Sequence, residues 1–155
     1  VTNTLEASIE IAATPQDVWT IVSDLKRMGE WSPQCRKMRV SGEVREGTRT
    51  VNLNRKGLLV WPTTSKVVRF EPNKAIAFRI NENHTIWTYT LEPTATGTRV
   101  VERREAPTGT TRVSQFLIKT VLGGSDAFEA DMVEGMNATL GRIKKEAEAL
   151  AVGSR

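Results

Sequence analysis

The sequence predicts an α+β fold in which a curved antiparallel sheet of about seven strands wraps one long C-terminal helix. Three observations predict it. Residues 37–106 alternate polar and apolar with period two and are broken by short turn signals. Residues 128–150 carry an apolar stripe at helical spacing. A short helical stretch near the start separates the first strand from the rest.

The elements follow in order. Residues 5–12 alternate as a first strand. Thr14-Pro15-Gln16-Asp17 then opens a helix, because Thr14 suits the cap, Pro15 the first turn and Asp17 the positive helix end. Val18, Ile21, Val22 and Leu25 continue it. Ser23-Asp24 reads as a second cap, giving a short helix to Met28 that Gly29 and Ser32-Pro33 terminate. Strands are expected near 38–44, 48–55, 63–71, 75–81, 84–92 and 97–105. Their turns fall at Arg45-Glu46-Gly47, Lys56-Gly57, Glu71-Pro72-Asn73, Asn81-Glu82-Asn83 and Thr94-Ala95-Thr96-Gly97. Short turns between successive strands imply an antiparallel meander. Ser125 or Asp126 suits the cap of the last helix, with Glu129 completing a box. Phe128, Met132, Met136, Leu140, Ile143, Ala147 and Leu150 form its apolar stripe.

Composition narrows the function classes. A chain of 155 residues, 39% apolar and 26% charged, reads as one globular domain over 1–155. A lone Cys35 offers no internal disulfide and reads as structural. No run approaches the ~20 apolar residues of a membrane span. The N-terminus shows no signal-peptide pattern, so a cytoplasmic location is expected. The net charge of +4 is spread over small clusters flanked by acids, so neither a nucleic-acid partner nor stable membrane insertion is expected. His84 is the single histidine and sits in a turn beside Asn83, so no metal set and no catalytic triad is expected. No glycine-rich phosphate cradle appears either, and no cofactor is expected.

Several local motifs then occur in a telling order. The opening "ATPQDVWTIVSDLKRMGEWSP" carries Pro15, Val18-Trp19, Asp24 and Glu30-Trp31-Ser32-Pro33. The centre, "NRKGLLVWPTTSKVVRFEPNKAIAF", carries Asn54, Arg55, Gly57, Trp61, Val67, Pro72 and Phe78. Trp87, Tyr89, Gly97-Thr98-Arg99-Val100 and Glu102 follow, and Gly135-Met136, Thr139-Leu140 and Ile143-Lys144 close the chain. Over nearly its whole length the sequence resembles the START-like helix-grip (SRPBCC) superfamily. It is most similar to the polyketide cyclase/dehydrase and lipid-transport family. The resemblance implies the helix-grip fold and an interior that either side chains or a ligand must fill.

The candidate ligand-binding residues lie where strands and helix would face one another. Trp87 and Tyr89 share one face of their strand, and the tyrosine hydroxyl supplies a polar handle. Met132 and Met136 offer a deformable helix surface, with Gly135 and Gly141 nearby. Met28, Trp31 and Trp61, with Leu58, Val60 and the apolar segment 116–122, read either as a ring around a pocket mouth or as side chains that close the core at that end. Leu53, Phe78, Phe128 and Leu140 join the expected lining. Segment 98–105 places a charge pair on its inner face in either parity. Glu102 is the preferred polar floor and Arg55 a second polar candidate; a solvent-exposed strand end is the plainer account.

Three functions fit this reading. The first is a binding protein for an apolar or amphipathic small molecule, lipid- or polyketide-like. The second is a cyclase, aromatase or dehydratase that uses Tyr89 or Glu102 as acid or base. The third is an interaction module, co-chaperone or toxin with a collapsed interior. A homodimer is compatible with all three. The cavity itself discriminates among them.

Overall fold

A computed structural model describes residues 3–106 and 125–153. Strand β1 (Asn3–Ile11) leads into α1 (Pro15–Val22), a 3-10 turn (Leu25–Arg27) and α2 (Met28–Trp31). Six strands follow: β2 (Cys35–Val40), β3 (Arg49–Lys56), β4 (Leu59–Glu71), β5 (Ala75–Ile80), β6 (Ile86–Pro93) and β7 (Thr98–Ala106). The long helix α3 spans Ser125–Gly153. The strands form one antiparallel sheet in the order β1-β7-β6-β5-β4-β3-β2. This is the expected α+β helix-grip architecture.

Local chemistry explains most boundaries. The Thr14 hydroxyl accepts a hydrogen bond from the Asp17 N–H at 3.2 Å and caps α1 above Pro15. Asp24 occupies the next cap position but makes no side-chain cap bond. The side chains of Ser125 and Asp126, and the whole of segment 116–122, lie outside the described residues. Strand β4 begins earlier than expected, immediately after Gly57-Leu58, and contains Pro62. There β4 pairs with β3 but not yet with β5, so a missing N–H is tolerated as on an edge strand. Bulges at Cys35/Lys37 and Val67/Arg69 bend β2 and β4.

The helix α3 does two jobs along its length. Its later part buries Leu140, Ile143, Ala147 and Ala151 and packs against β1 and α1. Val18, Ile21, Leu25, Ile76 and Val100 complete this core, each fully buried side chain contributing ~1.5–3 kcal/mol. The earlier part of α3, from Phe128 to Thr139, instead borders a cavity.

Two glycines give predictions of opposite sign. A Cβ on Gly97 would fall 2.0 Å from the Ile11 carbonyl oxygen, where β1 and β7 meet. Gly97→Ala is therefore expected to cost ~3 kcal/mol or more in urea unfolding. Gly141, exposed on α3 with nothing near its missing side chain, is expected to gain ~1 kcal/mol as Gly141→Ala.

Candidate ligand-binding site

Between the sheet and the first half of α3 lies a cavity of about 470 Å³, within the ~300–1,000 Å³ of typical small-molecule sites. Its walls differ in chemistry. Phe78 and Trp87 from the sheet face Phe128, Met132 and Met136 from α3 and make it apolar on two sides. Tyr89, Glu102 and Arg104 supply a buried polar group on β6 and β7. The third wall, on β3 and β4, carries Asn52, Asn54 and Thr63.

The β7 floor follows from strict alternation. Thr98, Val100, Glu102, Arg104 and Ala106 are buried. Arg99 pairs outside with Glu92, and Arg103 with Glu6 and Glu105. Glu102 is only 2% exposed, which rules out the solvent-exposed account of this strand. Across the ladder Glu102 is the register partner of Tyr89. The Tyr89 hydroxyl donates to Glu102 Oε2 at 3.0 Å. The other oxygen, Oε1, is buried with no protein partner among the described residues. A buried oxygen facing no partner is costly; the Trp31 Nε1, in the packed core, is buried in the same way among the described residues.

Burial sets the charge state of the floor. It pushes the Glu102 carboxyl up to about 8, with the Tyr89 hydroxyl opposing the shift. The acid is therefore largely neutral at pH 7. With Oε2 accepting from Tyr89, the neutral carboxyl has Oε1 available as a donor. Tyr89 is itself raised well above its ordinary value by burial and by the adjacent carboxyl. Arg104 is lowered by burial, against the pull of Glu129, and its guanidinium lies 5.6 Å from the Phe128 ring centre.

The β3–β4 wall is polar because its side chains satisfy one another. Thr50 Oγ1 donates to Asn52 Oδ1 at 2.8 Å, and Thr50 also meets Ser65. The Asn52 and Asn54 amides both donate to Thr63 Oγ1, at 3.2 and 3.0 Å, and Asn54 reaches the Trp61 carbonyl. Such a network is stable in a buried setting. The exposed lining residues Arg36, Arg55, Gly57, Asp131 and Glu134 mark the mouth. An ion pair between Lys56 and Asp131 ties the β3–β4 turn to α3 there.

Most of the expected lining residues meet at this cavity. Met28, Arg55, Trp61, Phe78, Trp87, Tyr89, Glu102, Phe128, Met132 and Met136 all border it. Three do not. Leu53 is 43% exposed on the outer face, because β3 turns its polar parity inward. Trp31 packs in the core beneath Arg27, whose guanidinium carbon lies 4.5 Å from its ring centre, and its carbonyl accepts from Arg142. Leu140, next to the lining residue Thr139, is fully buried in the core instead. The sequence reading did not single out Asn52 or Thr63. Arg104 is the second member of the inner-face charge pair expected on this strand with Glu102.

The remaining candidates read as structural. His84 adopts a positive φ of 62° in its turn and pairs Nδ1 with Arg79 at 2.6 Å. Burial pushes the Cys35 thiol up to about 11, which leaves it a poor nucleophile. No described helix is long and apolar enough to cross a membrane.

An antiparallel sheet closed over a cavity by a long C-terminal helix defines a helix-grip protein. The chain belongs to the polyketide cyclase/dehydrase and lipid transport family, whose profile matches residues 2–148. Solved structures agree on the fold. The Zhui aromatase/cyclase from Streptomyces sp. R1128 is 17% identical with a TM-score of 0.77, over 96% of this chain and 94% of that one. The Polyketide_cyc-like protein Cgl2372 from Corynebacterium glutamicum is 29% identical with a TM-score of 0.63, over 93% and 90%. The di-domain aromatase/cyclase StfQ of the steffimycin biosynthetic pathway is 16% identical with a TM-score of 0.75. The match covers 97% of this chain, which spans about half of StfQ, 52%. No curated protein matches the sequence.

Proposed function

We propose that this chain binds one apolar or amphipathic small molecule, lipid- or polyketide-like, between its sheet and α3. The partnerless Glu102 Oε1 at the wall of a 470 Å³ space carries the reading. Phe78, Trp87, Met132 and Met136 take the apolar body of the guest. A carbonyl or hydroxyl oxygen of the guest accepts from the Glu102 carboxyl, which Tyr89 holds in place. Asn52, Asn54 and Thr63 offer further polar contacts along one edge.

The test is uptake of apolar fluorescent probes and of a lipid and polyketide panel. Trp87 is only partly buried. Trp87→Ala is therefore expected to weaken binding about tenfold or more while the chain stays folded. Uptake by neither protein, or equal uptake by both, contradicts the reading.

A second reading rests on the charge state of Glu102. A neutral acid hydrogen-bonded to a tyrosine on the wall of a cavity is suited to protonate a substrate oxygen, as a cyclase or aromatase requires. Glu102→Gln separates the two roles, because it keeps a hydrogen-bond donor but removes the transferable proton. Turnover lost with binding retained supports the enzyme. An interaction module with a collapsed interior fits a 470 Å³ cavity poorly.

A further inference from the structure

The outer face of the sheet is uneven in charge. At the β1–β7 end most charges are paired: Glu6 and Glu105 with Arg103, and Glu92 with Arg99. At the β2–β4 end Arg69 pairs with Glu71, and the other exposed cations of the outer face are Lys37, Arg39, Arg49, Arg55 and Lys66. None of these has a carboxylate partner among the described residues. Residues 107–124 contain no Asp or Glu. Glu82, which reaches β4, accepts from the Thr64 hydroxyl. Glu43 and Glu46 sit in the β2–β3 turn, which adjoins Arg39 and Arg49 and lies at the opposite end of these strands from Leu58.

Inside this cationic frame lies an apolar island. Val51 is 55% exposed, Leu53 43% and Val60 52%. In the ladder Leu53 stands opposite Lys37 on one side and the exposed Pro62 on the other, and Val51 stands opposite Arg39. Leu58, 96% exposed, projects at the tip of the hairpin. Its neighbours Arg55, Lys56, Gly57 and Leu59 line the mouth of the cavity.

We propose that this face docks reversibly on an anionic lipid surface, with Leu58 entering the interface and the basic rim meeting the headgroups. Charge complementarity favours an anionic partner. Exposed aliphatic side chains at a projecting tip favour a bilayer over a nucleic acid, whose backbone gives them nothing to bury against. Docking in this sense is peripheral and involves no spanning segment. It sets the cavity mouth at headgroup level, where an apolar guest can exchange with the bilayer without crossing water.

The test is co-sedimentation of the full chain with vesicles of phosphatidylcholine alone and of phosphatidylcholine with phosphatidylglycerol. Binding is expected only to the anionic vesicles, and added salt should weaken it. Lys37→Glu with Arg39→Glu, and separately Leu58→Asp, are each expected to reduce it roughly tenfold or more. None of these residues lines the cavity, so probe uptake in vesicle-free buffer and the circular dichroism spectrum should not change. That uptake measurement reports on the cavity alone, so failure of docking and failure of ligand binding are distinguishable. No binding to anionic vesicles at low salt overturns the proposal. Binding that ignores Leu58→Asp overturns it too, as does tighter, Leu58-indifferent binding to an oligonucleotide.

Discussion

Glu102→Gln is expected to flatten the decline in stability that the native chain shows as pH rises from about 4.5 to about 8. The folded carboxyl titrates near 8 and the ordinary value is 4.5. Below 4.5 both folded and unfolded chains carry the proton, and the fold has its full stability. Between the two values the unfolded chain has lost a proton that the folded chain keeps. Unfolding therefore releases a proton, and stability falls with pH. Above 8 the folded chain holds a buried carboxylate, and the loss is complete, on the order of 5 kcal/mol. Urea midpoints at pH 5, 7 and 9 measure it. Glu30 and Glu148 are held below the ordinary value by Arg27 and Lys144, so their contributions are lost as pH falls and do not overlap this window. The same titration should appear in binding. A guest that accepts from the neutral acid should bind more weakly to the native chain above pH 8, and equally at all pH values to the glutamine variant. A pH-independent urea midpoint in the native chain across this window contradicts the assignment.

Gly135→Leu is expected to abolish guest binding without harming the fold. Gly135 borders the cavity from within α3. The nearest atom to an added Cβ is the Pro33 ring carbon, 3.4 Å away and at the end of a side chain. Leucine there puts four carbons beside the space that Met132 and Met136 already narrow. Relative to glycine it also favours the helix by roughly 0.5–1 kcal/mol. Binding should fall at least tenfold while the melting temperature holds or rises. Loss of both would mean that the site is packed core. Retention of both would mean that the guest lies elsewhere.

How much of this was legible depended on which physical signal each element carried. Period-two alternation identified the strands of the meander, and the stripe from Phe128 to Ala147 identified α3. Trp87 and Tyr89 were placed on the inner face because β6 alternates; on β7 the alternation left the parity open, and the burial of Glu102 and Arg104 decides it. In β3 the same rule misled. Val51 and Leu53 are the apolar parity, yet Thr50, Asn52 and Asn54 point inward. The polar parity is stable inside only because Thr63 and Ser65 from β4 complete its hydrogen bonds. That cross-strand register, Asn52 opposite Thr63, is not visible in either strand alone. Trp31 was assigned to the mouth for a related reason. A large aromatic after a short helix looks exposed until Arg142 and Arg27 are seen to cover it. Met136 lies at the junction, both core and cavity wall, so its truncation mixes stability with binding in a way that Trp87→Ala does not.

The most direct measurement is native mass spectrometry of the gently purified chain, before and after exposure to a panel of lipids and polyketide-type compounds. If the space beneath α3 is a guest site, one apolar adduct per chain should be present or acquired, and Gly135→Leu should show none. A native chain that emerges bare and takes up nothing contradicts it, even with the helix-grip architecture intact.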